Sequence, residues 1–275
     1  MIRRLPLQFS NTSIKVLFFF ALAVVLAGSS IATPPGAKRP IRVMTYNIHH
    51  GEGADGKIDL NRIAEVILSH KADIVALQEV DRDVERTGRR DLIAELATLT
   101  GMNYAFGKNI DYQGGDYGNA VLSRFRIIEQ QNRRYKMVRP GEQRGLLQVV
   151  LQVEGKKLVV LNTHLDYRPD DTDRLSNLEE IKQILGQYKR IPVILCGDFN
   201  DTPDSRTHLK TEESFVDGWR HSDRNEGYSY PSAQPQKRID HIFLDKGKAL
   251  IPVKAWVAKS NASDHLPVVL EFRFR

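Results

Sequence analysis

Beyond residue 40 the chain is a series of short apolar runs separated by polar punctuation. The runs are IRVMTY, DIVALQ, NAVLS, LLQVVLQV, KLVVLNT, IPVILC, RIDHIFL, PVKAWV and LPVVLEFRF. Most are rich in valine and isoleucine and are bounded by Gly, Pro, Asn or Asp, as strands are. The stretch LLQVVLQVEGKKLVVLNTH reads as two strands turning at Glu154-Gly155-Lys156. Helical spacing interrupts the strands in at least three places. Asp59 caps a helix that carries Leu60, Ile63, Ala64, Ile67 and Leu68 on one stripe. A second helix runs from about Asp91 to Leu99 and closes at Gly101. A third runs from about Asp173 to Tyr188, with Leu175, Leu178, Ile181 and Leu185 on one face. Strands outnumber helices and helices fall between strands. The expected class is therefore α+β, two packed sheets with helices outside. No repeat or break in composition divides residues 41–275, which read as one domain.

The first 40 residues follow a different pattern. Residues 1–15 are basic and polar, Val16 to Ala27 is uniformly apolar, and Gly28, Ser29, Ser30 and Ala32 are small. That order matches a secretory signal peptide over 1–32, with Ser30 and Ala32 at the positions a signal peptidase reads. The apolar stretch is short beside the roughly 20 residues of a membrane span, and an uncleaved N-terminal anchor is the alternative. Pro34, Pro35, Gly36 and Pro40 make 33–40 a linker. The expected location is outside the cytoplasm, periplasmic or extracellular, or held at a membrane through the N-terminus.

Composition narrows the picture slightly. The 275 residues are 41% hydrophobic and 27% charged, which excludes disordered, collagen-like and disulfide-scaffold classes. Cys196 is the single cysteine, so no intramolecular disulfide forms. It lies in an apolar strand and reads as a buried small hydrophobe rather than a nucleophile. The formal charge is +6, but half of that excess is Arg3, Arg4 and Lys15 in the acid-free first 32 residues. The remaining balance argues only weakly for a nucleic-acid partner.

The chemical signal is positional. IRVMTY ends in Asn47, DIVALQ in Glu79, KLVVLNT in His164 followed by Asp166, and IPVILCG in Asp198 and Asn200. Arg238 and Asp240 open RIDHIFL, and Asp264-His265 precedes LPVVLEF. Taken singly, each has a local explanation as a turn, a cap or a buried histidine. Polar groups beside buried strands are costly unless paired, hydrogen-bonded or metal-bound, so their recurrence at strand ends implies one shared cleft. Carboxylate and amide oxygens without cysteine suit Mg²⁺ or Mn²⁺. Metal, carboxylates and histidines together suit attack of water on a phosphate ester.

These pieces resemble the endonuclease/exonuclease/phosphatase superfamily, which includes DNase-like nucleases, inositol polyphosphate phosphatases and neutral sphingomyelinases. The matching blocks are TYNIHHG, ADIVALQEVD, GNAVLSR, NTHLD, GDFND, RIDHIF and SDHLPV, in the family's order across about 41–275. The resemblance implies a four-layer α/β/β/α sandwich of two mainly antiparallel sheets with outer helices. It implies that Glu79 is the principal metal carboxylate, with Asn47 supporting the metal or the phosphate and Asp264 as a further ligand. Asp198 would orient or deprotonate water and Asn200 would contact phosphate. His265 would stabilise the pentacovalent phosphate, with Asp240 as its orienter, and His164 would be the second catalytic histidine. Asn119, Arg144 and Arg86 are substrate-side candidates, since guanidinium forks match phosphate. His49 and His50 stand beside this set without a role.

The superfamily fixes the bond better than the substrate. The expected activity is a Mg²⁺-dependent phosphodiesterase acting on a phospholipid or small phosphodiester, as a monomer. An exported non-specific nuclease is the alternative, and an inactive binding module is a remote third.

Overall fold

The structure is a computed structural model and describes residues 39–222, 226–247 and 250–275. The expected leader at 1–32 and most of the expected linker lie outside these residues. Arg39, at the linker's end, forks onto Asp73 at 2.6 and 2.8 Å.

Two six-stranded sheets face each other. The first contains β1 (Ile41–Asn47), β2 (Ile74–Arg82), β3 (Asn103–Tyr112), β4 (Gly115–Ser123), β11 (Leu250–Val257) and β12 (Val268–Phe274), in the order β11-β12-β1-β2-β4-β3. The second contains β5 (Arg126–Arg134), β6 (Gly145–Val153), β7 (Lys156–His164), β8 (Val193–Asp198), β9 (Phe215–Asp217) and β10 (Asp240–Asp245), in the order β5-β6-β7-β8-β10-β9. Each sheet has one parallel pair, β1–β2 and β7–β8, and is otherwise antiparallel. A parallel pair needs a crossover, and helices supply it. They are α1 (Leu60–Ser69) between β1 and β2, and α3 (Thr172–Leu185) between β7 and β8. The helices α2 (Leu92–Thr100) and α4 (Arg206–Thr211) complete the outer layers.

Three apolar layers follow from this order. Val43, Ile74 and Leu270 of the first sheet pack between the sheets against Val149, Val160 and Ile194 of the second. On the outer face of the first sheet, Met44, Val75 and Leu77 meet Ile63, Ile67 and Leu96 of α1 and α2. On the outer face of the second, Val159, Leu161 and Leu195 meet Leu178, Ile181 and Ile184 of α3. The central strands are thus buried on both faces, which is why they read as continuous apolar runs.

The helix boundaries follow the expected caps. Asp59 accepts from the Asn61 N–H at the start of α1, and Asp91 accepts from the Ala94 N–H at the start of α2. Gly101 closes α2 in the left-handed conformation. The third helix ends at Leu185, and a short 3₁₀ turn carries the chain to Tyr188. Strands β3, β5 and β9 and helix α4 were not expected. β5 is an exposed edge strand whose sequence, RIIEQQNRR, is mostly polar. Polar edges discourage pairing with other chains, and they also erase the alternation that marks a strand. Among the described residues no helix is long and apolar enough to cross a membrane.

Candidate active site

The parallel pairs end at the same rim of the sandwich. Asn47 is the last residue of β1, and Glu79 lies near the end of β2. His164 and Asp198 close β7 and β8, where they are register partners. Asp240, the first residue of antiparallel β10, is register partner to Asp198 on the other side. The turn before β12 brings Asp264 and His265 to the same place: Ser263 donates its hydroxyl to the Asn47 carbonyl at 2.8 Å.

Backbone irregularities aim these side chains. Leu77 pairs with Ala120 and Val80 with Gly118, so Gln78 and Glu79 together oppose Asn119. Glu79 occupies this bulge with φ 58°, a conformation uncommon for a non-glycine residue. Asn200 has φ 50° in the turn after β8. Gly197 permits β8 to lie close to β7, because a Cβ there would fall 2.0 Å from the Thr163 carbonyl oxygen.

Hydrogen bonds join the two sheets across the cleft. The Asn47 amide donates to Glu79 Oε1 at 2.9 Å and to Asp198 Oδ2 at 3.1 Å. The Asn200 N–H donates to Asp198 Oδ1 at 2.8 Å, and its amide lies 3.0 Å from His164 Nε2. His265 Nδ1 faces Asp240 Oδ2 at 2.9 Å, and His265 Nε2 is 3.7 Å from Asp198 Oδ2. His164 Nε2 is 3.5 Å from the same oxygen. Asp198 therefore sits between two imidazoles.

Burial and proximity set the charges. Burial raises the Asp198 carboxyl to about 7, the neighbouring Asp240 charge adds to this, and His265 opposes it. Burial pulls His265 down, but Asp240 and Asp198 outweigh that pull and hold it at about 10. His164 goes the other way. Burial lowers it well below the usual imidazole range, assisted by the positive charges of Arg144 and His265. The rim thus holds one cationic and one neutral imidazole around a carboxyl poised near neutrality.

The residues expected at the site divide into two groups. Asn47, Glu79, His164, Asp198, Asn200, Asp240 and His265 form the connected cluster above, and Asp264 stands at its half-exposed margin. Arg144 is buried, donates to Glu142 at 2.7 Å and has its Nε without a partner. Asn119 is buried and donates to the Gly145 carbonyl at 3.3 Å, linking the two sheets. Arg86 forks onto buried Asp81 at 2.8 and 2.9 Å and lies over the rings of Tyr112 and Tyr117.

Other residues also reach the site. Ser229 donates to Asp240 Oδ2 at 2.6 Å, and the Tyr230 ring lies 4.7 Å from that of His265. Both come from an irregular loop with no periodic signal. Beneath the cluster, Gln78 donates to Asn162 Oδ1 at 2.7 Å, and Asn162 donates to the Leu77 and Ala120 carbonyls at 2.8 Å. These two amides are the polar letters inside ALQEV and VLNTH, a signal available in the sequence. The Glu79 and Asp198 carboxylates, bridged by the Asn47 NH2 group, present oxygen donors and fit a hard divalent cation.

The pattern of the Endonuclease/Exonuclease/phosphatase family matches residues 44–265. The uncharacterized protein YbhP of Escherichia coli (strain K12) is 29% identical over 246 residues, covering 84% of this chain and 95% of YbhP. A probable CCR4-Not complex 3'-5'-exoribonuclease subunit Ccr4 from Enterocytozoon bieneusi (strain H348) is 23% identical over 276 residues, 78% of this chain and 57% of that protein. Among solved structures, an endonuclease/exonuclease/phosphatase from Beutenbergia cavernae DSM 12333 superposes with a TM-score of 0.73 and 28% identity. It covers 86% of this chain and 72% of its own.

Proposed function

The chain belongs to the endonuclease/exonuclease/phosphatase family, whose members hydrolyse phosphoesters, and from that premise we propose an exported, divalent-metal-dependent phosphodiesterase acting on a phospholipid or small phosphodiester. Glu79 and Asn47 would hold the cation, Mg²⁺ or Mn²⁺, with Asp264 at its margin, and the ion would offset negative charge on the phosphate. Asp198 carries the reading. It is the carboxyl near neutrality that Asn47 and Asn200 orient, so it can hold the attacking water and take its proton. Protonated His265 donates to the phosphoryl oxygens and to the departing oxygen as the phosphorus–oxygen ester bond breaks. The proton gained by Asp198 lies 3.7 Å from His265 Nε2 and can restore it. Neutral His164, held by Asn200, completes the polar wall.

A small or lipid substrate is favoured over a polynucleotide by what four arginines touch. Arg86 is turned onto Asp81, Arg139 onto Asp173, Arg168 onto Asp166 and Arg174 onto Asp201. A strand of phosphates needs cations that exchange counterions along its length, and guanidiniums already paired with carboxylates serve this poorly. The likeness to the probable 3'-5'-exoribonuclease subunit Ccr4 favours the second reading, an exported nuclease. The leader at 1–32 would export the protein, or anchor it at a membrane if uncleaved, and it would act as a monomer.

The test is one panel: mixed phospholipid vesicles, bis-(p-nitrophenyl) phosphate, plasmid DNA and RNA, each with Mg²⁺, with Mn²⁺ and with EDTA, and with Asp198→Ala as control. Head-group release or small-diester hydrolysis, lost with EDTA and with the variant, is the expected result. Cleavage of nucleic acid alone would replace this reading with the nuclease.

A further inference from the structure

His49 and His50 follow Asn47 and Ile48 and have no part in the hydrolytic cluster. Their backbone is unusual. Both adopt positive φ, 44° and 45°, followed by Gly51 at 84°. Consecutive non-glycine residues in this region are costly and persist only where the surroundings enforce them. Here the enforcement is visible: the His49 N–H donates to Asn47 Oδ1 at 3.0 Å, and the Gly51 N–H donates to the Ile48 carbonyl at 2.7 Å. The result brings the two rings edge to face, with centroids 4.4 Å apart. A ring nitrogen of each and a carboxylate oxygen of Glu79 lie within 4.8 Å of one another.

Each imidazole also has a carboxylate behind it. His50 Nε2 is 3.5 Å from Glu52 Oε2, and His49 Nδ1 is 3.9 Å from Asp264 Oδ1. A carboxylate on one side of an imidazole favours a proton on the nitrogen facing it and leaves the other nitrogen free for a ligand, the arrangement common among metal-bound histidines. His50 is 7% exposed, and its Nδ1 is buried with no hydrogen-bond partner within the protein. An unpaired buried nitrogen is costly unless something occupies it.

We propose that His49, His50 and Glu79 form a second cation position beside the hydrolytic centre, selective for a borderline divalent ion such as Zn²⁺ or Co²⁺ over Mg²⁺. Two imidazoles and one carboxylate are the donor set of such ions, whereas Mg²⁺ takes oxygen and water. The inference rests on the proposed function only through Glu79, which the two positions share.

The experiment uses the purified protein after chelator treatment and two titrations that do not depend on turnover. Co²⁺ is followed by its visible absorption, which reports nitrogen ligation, and Mg²⁺ by the thermal shift it produces. The expected result is a Co²⁺ spectrum whose intensity falls, with affinity weakened at least about tenfold, in His49→Ala and His50→Ala. The Mg²⁺ shift is retained in both. If the double variant gives the wild-type Co²⁺ spectrum and affinity, the second position does not exist. His49 is partly exposed, so His49→Ala decides the matter alone should buried His50 prove necessary for folding. Failure of the proposed function would appear separately, as a wild-type protein without any Mg²⁺ shift.

Discussion

Asp240 accepts hydrogen bonds from Ser229 and His265 on one oxygen and leaves the other buried without a partner. A carboxylate so placed exerts its charge at short range and with little screening, and His265 receives it. His265 stands at about 10 in the fold against 6.5 for a free imidazole. Because the folded value is raised, its ion pair stabilises the protein fully below about 6.5 and loses that contribution as pH rises through about 10. The alkaline limb of kcat/KM should follow the same group. Asp240→Asn should move that limb to lower pH and reduce kcat by about 10²-fold or more; a pH–rate profile of the two proteins checks it, and an unmoved limb would remove His265 as the acid. Cys196→Ser should leave turnover within about twofold of wild type, because burial pushes this thiol far up and it touches no reacting group. Steady-state kinetics on the folded variant decides that point.

At the scale of elements, the loops behind the site are tied by buried guanidiniums. Arg174 of α3 donates to Asp201 at 3.1 Å and to the Asp166 and Arg168 carbonyls at 2.8 and 2.6 Å, thereby fixing the turns after β7 and β8. It is 3% exposed, so Arg174→Ala leaves buried acceptors unpaired and should lower stability by about 3–5 kcal/mol in urea denaturation. Gly197→Ala should damage both folding and activity. The added carbon would press on the Thr163 carbonyl and separate β8 from β7, moving Asp198 away from His164; a lowered urea midpoint together with a lowered kcat of the folded protein is the expected outcome. Legibility in the sequence also divides by element. The central strands and the three long helices were visible because both faces of the former and one stripe of the latter are buried, and Asp59, Asp91 and Gly101 mark their ends. β5 carries too few apolar residues to betray itself, and β9 has three residues, too few for any period. Within the site, residues at strand ends were legible as polar interruptions of apolar runs. Ser229 was not, because a loop residue's partner is chosen by the tertiary path alone.

For the whole molecule, both sheets contribute to one centre, so ligand binding there reports on the entire sandwich. A divalent cation at a hundredfold its Kd should add about 2.7 kcal/mol to stability. EDTA should remove that increment, and Glu79→Gln should abolish it, as differential scanning calorimetry would record. The position of β1 between β2 and β12 has a consequence in time. Asn47 and Ser263, joined by a hydrogen bond, are 216 positions apart in the chain. During synthesis β1 emerges early and must wait for β12 before its second edge is filled. Such distant pairing is slow to form and leaves an open edge meanwhile. His265 arrives with that same late segment, so a nascent chain carries Glu79, His164 and Asp198 before it has the imidazole to which the proposed function gives the acid's part. On that proposal hydrolytic competence would be tied to the closing step of folding, and the chain would stay inert toward phosphoesters until its first and last strands meet.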